Sequence, residues 1–395
     1  MDKLFLWEWK KINKLILCFI LLISLFIMSI LIILNAGSMT WIDSSGKKLS
    51  GKSAIDAKIA TVSNIEGKVT SEKLINYVNE YKKFYKEGKE EDNKEYVKYC
   101  QPFEDYINRL VYPIYNDGNQ ELKNLITNLS NDELNNFYSN WDKAAIEKDG
   151  KHYTILENKA KKVDKPFIYE YNDGLFYLVD QFKDLFLFAF IVIAIVLSSI
   201  FSEDSLQGLE EVSMSTKYGR ERLVIGKLKC GIFLSIVVYI LFLLVMNIIV
   251  GSIFTLRGGN TSIQFINILS LWNISMGKGY LLLIFLGLLA TMTMALFVMY
   301  ISVKSRKSKR SLLLSFGLVI IPYIFLSEIE GTFLTPILGV IPINLIDAHR
   351  IFGSNIFYGL GSFQFPYIII SIILSVAMIF LTIKGIKKEV RNYKL

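Results

Sequence analysis

Six long apolar runs alternate along this chain with stretches rich in Lys, Glu and Asn. A helix that crosses the hydrocarbon core of a bilayer needs about 20 predominantly apolar residues. We therefore predict transmembrane helices at residues 15–34, 185–201, 232–254, 280–303, 311–327 and 365–383. The pattern predicts a membrane all-α protein with six transmembrane helices.

The residues before the first apolar run mix Leu, Phe and Trp with Lys and Glu, in the string MDKLFLWEWKKINK. Neighbouring Trp and Lys side chains favour the headgroup layer of a membrane. We predict a cytoplasmic interfacial helix at residues 1–14. The alternative is a basic anchor with no further role.

A polar insert between the first two spans, residues 36–182, is predicted to be a mostly helical extracellular domain. Apolar and Tyr residues recur at helical spacing in residues 74–85, and Ser130 or Asp132 is positioned to cap a helix that runs to Ala145. The strings HYTILE and KPFIYEY alternate as strands do. The many Tyr residues of this insert form either an ordinary core and rim or a binding surface.

A second long connection, residues 328–364, precedes the last span and is predicted to be an extracellular loop. Its apolar part, residues 333–345, is interrupted by Pro336, Gly339 and Pro342. This part is too short and too broken to span a bilayer. It is therefore predicted to be a re-entrant or interfacial segment.

Basic residues set the predicted orientation. They precede the first span, lie between the second and third and between the fourth and fifth spans, and fill the tail at residues 384–395. Because cytoplasmic loops carry the excess of Lys and Arg, both termini are predicted to be cytoplasmic.

The net charge of +8 divides into −3 for residues 36–182 and +11 for the rest of the chain. This division is typical of membrane topology, and it does not indicate a nucleic-acid partner. The abundance of Ile, Lys and Asn is typical of an AT-rich bacterial genome. We therefore expect a bacterial plasma membrane.

Catalytic and metal-binding motifs receive little support. Residues Gly46 to Ser53 match the phosphate-loop string G-x-x-x-x-G-K-[ST], but no buried strand precedes them and the topology places them outside the cell. The two His residues, His152 and His349, are far apart and form no ligand cluster with Cys. We predict no metal site and no catalytic residue.

Charged residues are almost absent from the spans, so an ion-coupled transporter is disfavoured. Polar residues and prolines in and near the spans are either helix–helix contacts or parts of a translocation path. The residues considered for such a path are Ser198, Asn247, Thr291, Thr293, Pro336 and Pro342.

The stretch at residues 202–230 is charged and punctuated by glycine. It leaves the second span with Glu203, turns at Gly208, forms an amphipathic segment, and enters the third span with several basic residues. We interpret it as a surface for a cytoplasmic partner. The alternative is a basic loop that only sets the topology.

One pattern in this region combines an aromatic residue at the end of the second span, a Glu, a Gly after a four-residue gap, a Ser/Thr turn, and basic residues that enter the third span. The residues are Phe201, Glu203, Gly208, Ser215, Thr216, Arg220 and Lys227. The pattern and its position resemble permease subunits of the type-2 ABC exporter family, which have the type V fold. The large insert is similar to that of a subset with an external domain between spans 1 and 2.

The resemblance implies that residues 202–230 form a coupling loop that docks onto a separate ABC ATPase. The implied ATPase-coupling residues are Phe201, Glu203, Leu206, Gly208, Leu209, Glu210, Glu211, Arg220 and Lys227. ATP and Mg²⁺ would be bound by two copies of the partner ATPase, and this chain would hold no cofactor. A second permease, identical or different, would complete a dimer among the membrane lipids.

The implied function is ATP-driven export of a peptide, such as an antimicrobial or signalling peptide, or of a lipid-like amphiphile. The alternative is a membrane sensor or immunity protein. Its external domain would bind a peptide or a cell-wall precursor without exporting it.

Overall fold

The computed structural model describes residues 3–86, 97, 100–116, 121–147, 153–202, 219–325, 341–353, 357–360 and 363–392. The protein is mostly helical, with 78% helix. This composition confirms the prediction of a mostly helical membrane protein.

The helices of the amino-terminal half are α1 Lys3–Lys11, α2 Lys14–Ser38, α3 Lys52–Val62, α4 Ser71–Lys86, α5 Glu104–Tyr106, α6 Tyr112–Tyr115, α7 Leu122–Asn128, α8 Asn131–Asn135, α9 Phe137–Glu147, α10 Tyr153–Ala160 and α11 Asp173–Asp180. A 3₁₀ turn, Gln101–Phe103, precedes α5, and a π-helical stretch, Ile107–Val111, joins α5 to α6.

The helices of the carboxyl-terminal half are α12 Phe182–Leu197, α13 Gly219–Phe254, α14 Met276–Ser305, α15 Ser308–Phe325, α16 Ala348–Gly353 and α17 Tyr367–Arg391. Short 3₁₀ turns occupy Ile263–Phe265 and Pro342–Ile346.

The described strands form three antiparallel pairs. They are β1 Thr40–Ile42 with β2 Lys48–Ser50, β3 Gly67–Lys68 with β4 Ile168–Tyr169, and β5 Phe357–Leu360 with β6 Phe363–Pro366.

Four of the described helices are long and apolar enough to cross a membrane: α2, α13, α14 and α17. They cover the predicted first, third, fourth and sixth spans, and the chain is therefore a multi-pass membrane protein. Helices α12 and α15, at the predicted second and fifth spans, have 16 and 18 residues and are not among the four.

Helix α14 is the central helix of the bundle. It packs against α12, α13, α15 and α17, and 56% of the residues in its most apolar stretch are buried. The corresponding share is 22% for α2 and α17 and 33% for α13, whose outer faces expose large apolar side chains. A bundle with such faces is stable only where lipid or another apolar surface covers them.

The described residues between 39 and 171 pack into a layer at one end of the bundle, which we call the helical unit. Its core is aromatic: Trp141 and Phe137 are buried with Tyr106, Tyr169 and Phe167. The Tyr77 and Phe103 rings stack with centroids 3.5 Å apart. Several of its Tyr residues therefore serve as core residues.

Local sequence rules correctly predicted part of the helical structure of this unit. Ser130 caps α8 through a capping box, in which its hydroxyl oxygen accepts from the Glu133 amide and the Glu133 carboxylate accepts from the Ser130 amide. The predicted helix up to Ala145 is present as two helices, α8 and α9, interrupted at Asn136.

The predicted strand at HYTILE is wrong, because the described part of this string lies in α10. Leu156 and Ala160, four residues apart, are both buried, so a helix places them together on the core face. In KPFIYEY only Ile168–Tyr169 pairs as a strand. Tertiary packing decided both outcomes, as it often does for strand propensity.

Helix α13 begins at Gly219, so the end of the predicted coupling loop is a helical extension of the third span. Helix α17 likewise extends to Arg391, through most of the predicted tail.

In the predicted re-entrant segment only residues 341–345 are described, and most of them form the buried 3₁₀ turn that packs on α14. The rest of that segment lies outside the described residues.

Candidate functional site

We call the end of the bundle that contains Glu8, Ser202 and Arg391 the basic end. Here α1 lies against the first turns of α13. A Cβ atom placed on Gly226 would lie 3.3 Å from the Leu4 Cβ, so the two helices approach closely at a residue without a side chain. The ring of Phe233 meets those of Phe5 and Trp9 edge-on, with centroids 5.5 and 5.6 Å apart. These contacts dock α1 on α13.

A buried ion pair joins the same two helices. The Lys227 Nζ lies 3.1 Å from the Glu8 Oε2, and each side chain is only 2% exposed. Lys11, one turn later on α1, places its Nζ 3.4 Å from the other Glu8 oxygen. Removing one partner of such a pair leaves an uncompensated buried charge, which is strongly destabilising.

Lys227 also reaches the end of α12. Its ammonium group donates a hydrogen bond to the backbone carbonyl of Ile200. The Nζ lies 5.3 Å from the centroid of the Phe201 ring. One buried ammonium group therefore connects α1, α13 and the end of α12.

The chain that leaves α12 is held on its other side by Ser302 of α14. The Ser302 hydroxyl donates to the Ser198 carbonyl at 2.8 Å and accepts from the amides of Phe201 and Ser202 at 3.2 and 3.3 Å. The position at which the chain enters residues 203–218 is thus fixed by α13 and α14 together.

Of the predicted ATPase-coupling residues, the structure brings Phe201 and Lys227 together. The side chains of the others are outside the described residues: Glu203, Leu206, Gly208, Leu209, Glu210, Glu211 and Arg220. Because the Lys227 side chain is only 2% exposed, it forms no part of the protein surface in this structure. Glu8 was missed at the sequence level, although an acid among Trp and Lys residues was a signal for a paired charge.

The residues considered for a translocation path are dispersed in the bundle. Ser198 is buried in the contact with Ser302. Thr291 and Thr293 are buried on α14, and each hydroxyl donates to a carbonyl one turn earlier. Asn247 donates to the Tyr280 hydroxyl at 2.7 Å, between α13 and α14. These polar groups are engaged within the chain, as helix–helix contacts are.

Pro342 begins the buried 3₁₀ turn near the other end of α14. Pro336 lies outside the described residues. A path through these positions stays a prediction.

A second buried charge cluster lies where the helical unit joins the bundle. The Lys58 Nζ is 3.1 Å from Asp105 and 2.9 Å from Asp173, the first residue of α11. Arg109 faces the same two carboxylates at 3.5 and 3.9 Å, and the Tyr169 hydroxyl donates to Asp105 at 2.7 Å. Burial would raise the pKa of Asp105, but Arg109 and Lys58 hold it well below its usual range.

This cluster has the properties of a structural clamp. It joins α3, the π-helical stretch and α11, and α11 leads directly into α12. The cluster therefore attaches the helical unit to the segment that continues into α12. Helix α12 ends at the Lys227 contacts.

Three polar pairs lie at the other end of the bundle. The His349 Nε2 is 2.7 Å from the Asp180 Oδ1, Lys183 is 3.0 Å from Asp347, and the Tyr323 hydroxyl donates to Asp184 at 2.8 Å. The hydrogen bond to Asp180 raises the pKa of His349. The first two pairs tie α11 and α12 to the segment around α16, and the third ties α15 to α12.

The phosphate-loop string has a different geometry from a phosphate cradle. Residues Lys48–Ser50, between its two glycines, form β2, which pairs with β1 in a hairpin, and α3 begins only at Lys52. Extended residues in a hairpin do not converge their amides on an anion as a phosphate loop does. Within the described part of the chain, no group of three or more His, Cys, Asp or Glu side chains is placed to hold a metal ion.

Comparison with known families gives one match. The model of the family described as ABC-2 family transporter protein matches residues 13–382, nearly the whole chain. No curated protein and no solved structure matches the chain at a significant level.

Proposed function

This chain belongs to the ABC-2 family of transporter proteins, and we propose that it is the permease subunit of an ATP-driven exporter. Family membership implies association with an ABC ATPase, and members of this family are transport components rather than catalysts. The energy for transport would come from ATP and Mg²⁺ bound by two copies of the partner ATPase.

We propose a topology of six spans, in which α12 and α15 complete the four longer helices. Helix α12 packs among α2, α13, α14 and α15, and it is almost entirely apolar after Asp184. At 1.5 Å per residue its 16 residues span about 24 Å, and the turn at residues 198–201 lengthens it further. The basic end would then be cytoplasmic, and the helical unit would be the extracellular domain.

The observation that carries this proposal is the convergence of three elements on Lys227. Residues 203–218 lie between two fixed points, the Ser302 contacts at Ser202 and the helical start of α13 at Gly219. A partner that moves this loop moves both α12 and α13. Closure of the two ATPase subunits would pull on the loops of two permeases and rock the membrane halves relative to each other.

The cargo that fits this arrangement best is a bulky amphiphile, either a peptide or a lipid-like compound. The support is the large helical unit and its clamp to α11, which place a folded layer over one end of the bundle. A dimer, with a copy of itself or with a sister permease, is supported by the apolar faces that a single chain leaves exposed.

The ATPase association is tested by co-purification and ATP turnover. We expect Glu203→Lys or Gly208→Trp to abolish co-purification with the ATPase, while exposed Lys309→Ala serves as the control on the same side. If both loop variants bind the ATPase and transport normally, the assignment of residues 202–230 as the coupling loop is contradicted. A chain that binds an external peptide but never co-purifies with an ATPase would instead favour the sensor.

A further inference from the structure

A cavity of about 500 Å³ opens at the basic end, between the first turns of α13 and the last turns of α17. Four basic residues line it from α17, spaced so that they share one helix face, and one acidic residue lines it from α13. Among the described residues that line it, four cations face one carboxylate, and these residues give the cavity a net positive charge. The basic residues are Lys384, Lys387, Lys388 and Arg391, and the acidic residue is Glu221.

The same face of α17 continues into an apolar stripe. Phe380 lies one helical turn before Lys384, and Ile373 lies two turns before Phe380. Their side chains are 63% and 60% exposed, and that of the neighbouring Leu381 is 66% exposed. The surface of α17 thus changes from exposed apolar to exposed basic at Lys384.

This change matches an amphiphile with an anionic head and long hydrocarbon chains. A basic pocket between membrane helices binds lipid headgroups, and the neighbouring stripe contacts the acyl chains. A free phosphate or an acidic protein segment would contact the basic cavity alone, whereas an anionic phospholipid would contact both the cavity and the stripe that continues from it. We infer that this cavity binds the headgroup of an anionic phospholipid.

A bound headgroup would contact the basic residues of α17 through its phosphate, and Glu221 on α13 would accept a hydrogen bond from a headgroup hydroxyl. Helix α13 begins at Gly219, directly after residues 203–218, so the lipid would stabilise the end of the helix that enters the coupling loop. This regulatory part rests on the proposed function. The binding site itself does not, because it can be measured on the permease alone.

The test is lipid retention by the purified full chain in native mass spectrometry, with phosphatidylglycerol and phosphatidylcholine offered in equal amounts. The variant Lys384→Gln/Lys387→Gln/Lys388→Gln removes three charges and keeps most of each stem. The matched control, Lys304→Gln/Lys307→Gln/Lys309→Gln, removes the same charge from exposed positions around the turn between α14 and α15. Circular dichroism and thermal unfolding verify that both variants are folded.

We expect the wild-type chain to retain phosphatidylglycerol preferentially. The cavity variant should show a preference at least about tenfold weaker, and the control should keep the wild-type preference.

Equal losses of preference in the two variants would mean that general surface charge, and not the cavity, retains the lipid, and would overturn the proposal. Competition by millimolar inorganic phosphate would assign the cavity to a soluble anion. If the cavity variant keeps the lipid preference but no longer co-purifies with the ATPase, the cavity binds an acidic segment of the ATPase, and the lipid site is contradicted.

The regulatory part is tested by ATP turnover of the assembled complex in nanodiscs of rising phosphatidylglycerol content. Turnover should rise for the wild type and the control, and the rise should be absent for the cavity variant. If the wild-type chain recruits no ATPase, the proposed function fails while the retention result still stands. If retention shows no preference in the wild type, the lipid site fails while the ATPase association still stands.

Discussion

At the scale of single residues, Lys227 has the largest structural role at the basic end. Its ammonium group contacts a carboxylate of α1, a carbonyl at the end of α12 and an aromatic ring. A buried cation with this many partners is held in one position. The residue therefore helps to fix the position from which the chain enters residues 203–218.

We expect Lys227→Met to destabilise the protein by about 3 kcal/mol, because Glu8 would remain buried with only the partly exposed Lys11 beside it. The double variant Glu8→Leu/Lys227→Met should recover most of this loss, since both charges are gone. Thermal unfolding in detergent measures the change, with exposed Lys309→Met as the control. Equal losses in the single and double variants would contradict the buried-pair interpretation.

The clamp of the helical unit gives a second residue-scale prediction. Asp105→Asn should destabilise the unit by about 3–5 kcal/mol, because Lys58 and Arg109 would then share one carboxylate. Limited proteolysis and thermal unfolding measure the effect, and Glu72→Gln, at an exposed position, is the control. Because the pKa of Asp105 is lowered in the folded state, its contribution is present above the unfolded pKa and lost as the pH falls below it.

At the scale of elements, the position of α1 depends on Gly226. We expect Gly226→Leu to displace α1, since even a Cβ there is 3.3 Å from Leu4, and a larger side chain has no space. Gly37→Leu is the matched control, because Gly37 also lies in a helix and no atom lies within 4 Å of a Cβ placed on it. A cross-link between cysteines placed at Trp9 and Phe233, whose ring centroids are 5.6 Å apart, should be lost in Gly226→Leu and kept in the control.

The contact between α11 and α16 should depend on pH. The pKa of His349 is raised by Asp180, with Asp347 and Asp184 acting in the same direction, so the ion pair is fully present below the ordinary His pKa of 6.5 and lost as the pH rises through the folded value. The lowered pKa of Asp180 keeps its carboxylate charged down to mildly acidic pH. His349→Gln should thus lower the unfolding temperature at about pH 5.5 and have little effect at about pH 8.5. An equal effect at both pH values would mean that charge is not involved.

At the scale of the whole molecule, α14 organises the bundle and the helical unit covers one of its ends. The outer faces of α2, α13, α15 and α17 expose large apolar side chains. Such a surface requires lipid or a second permease around it. The proposed orientation places the unit outside the cell.

Orientation is tested by labelling with an impermeant thiol reagent in intact cells. The native Cys100 is unsuitable, since it is fully buried and burial raises the pKa of its thiol to about 12. We expect Ser53→Cys, exposed on the helical unit, to react in intact cells, and Lys309→Cys to react only after lysis. Both variants carry Cys18→Ala, because Cys18 is exposed. The reverse result would invert the topology.

Much of the architecture follows from the sequence because its signals are local. The apolar runs predicted all the long helices of the bundle, since length and composition alone decide whether a helix suits a bilayer. Ser130 and Asp132 were the two cap candidates for one helix, and Ser130 is the cap of α8, because capping depends on a few neighbouring residues. The pattern around Phe201 and Lys227 indicated the family that the comparison confirmed.

Other features depended on residues far apart in the chain, and only the tertiary structure decided them. No spacing rule pairs Glu8 with Lys227, or Lys58 with Asp105 and Asp173, because each pair is made by helices that meet through packing. For the same reason the described part of HYTILE lies in a helix, and the Ser198 carbonyl accepts a hydrogen bond from the Ser302 hydroxyl. The sequence determined which segments suit a membrane, since this is a local property of length and composition. In the sequence, Lys227 is one of several basic residues near a loop. Only the tertiary structure shows that its side chain is buried, because burial is a property of the assembled helices.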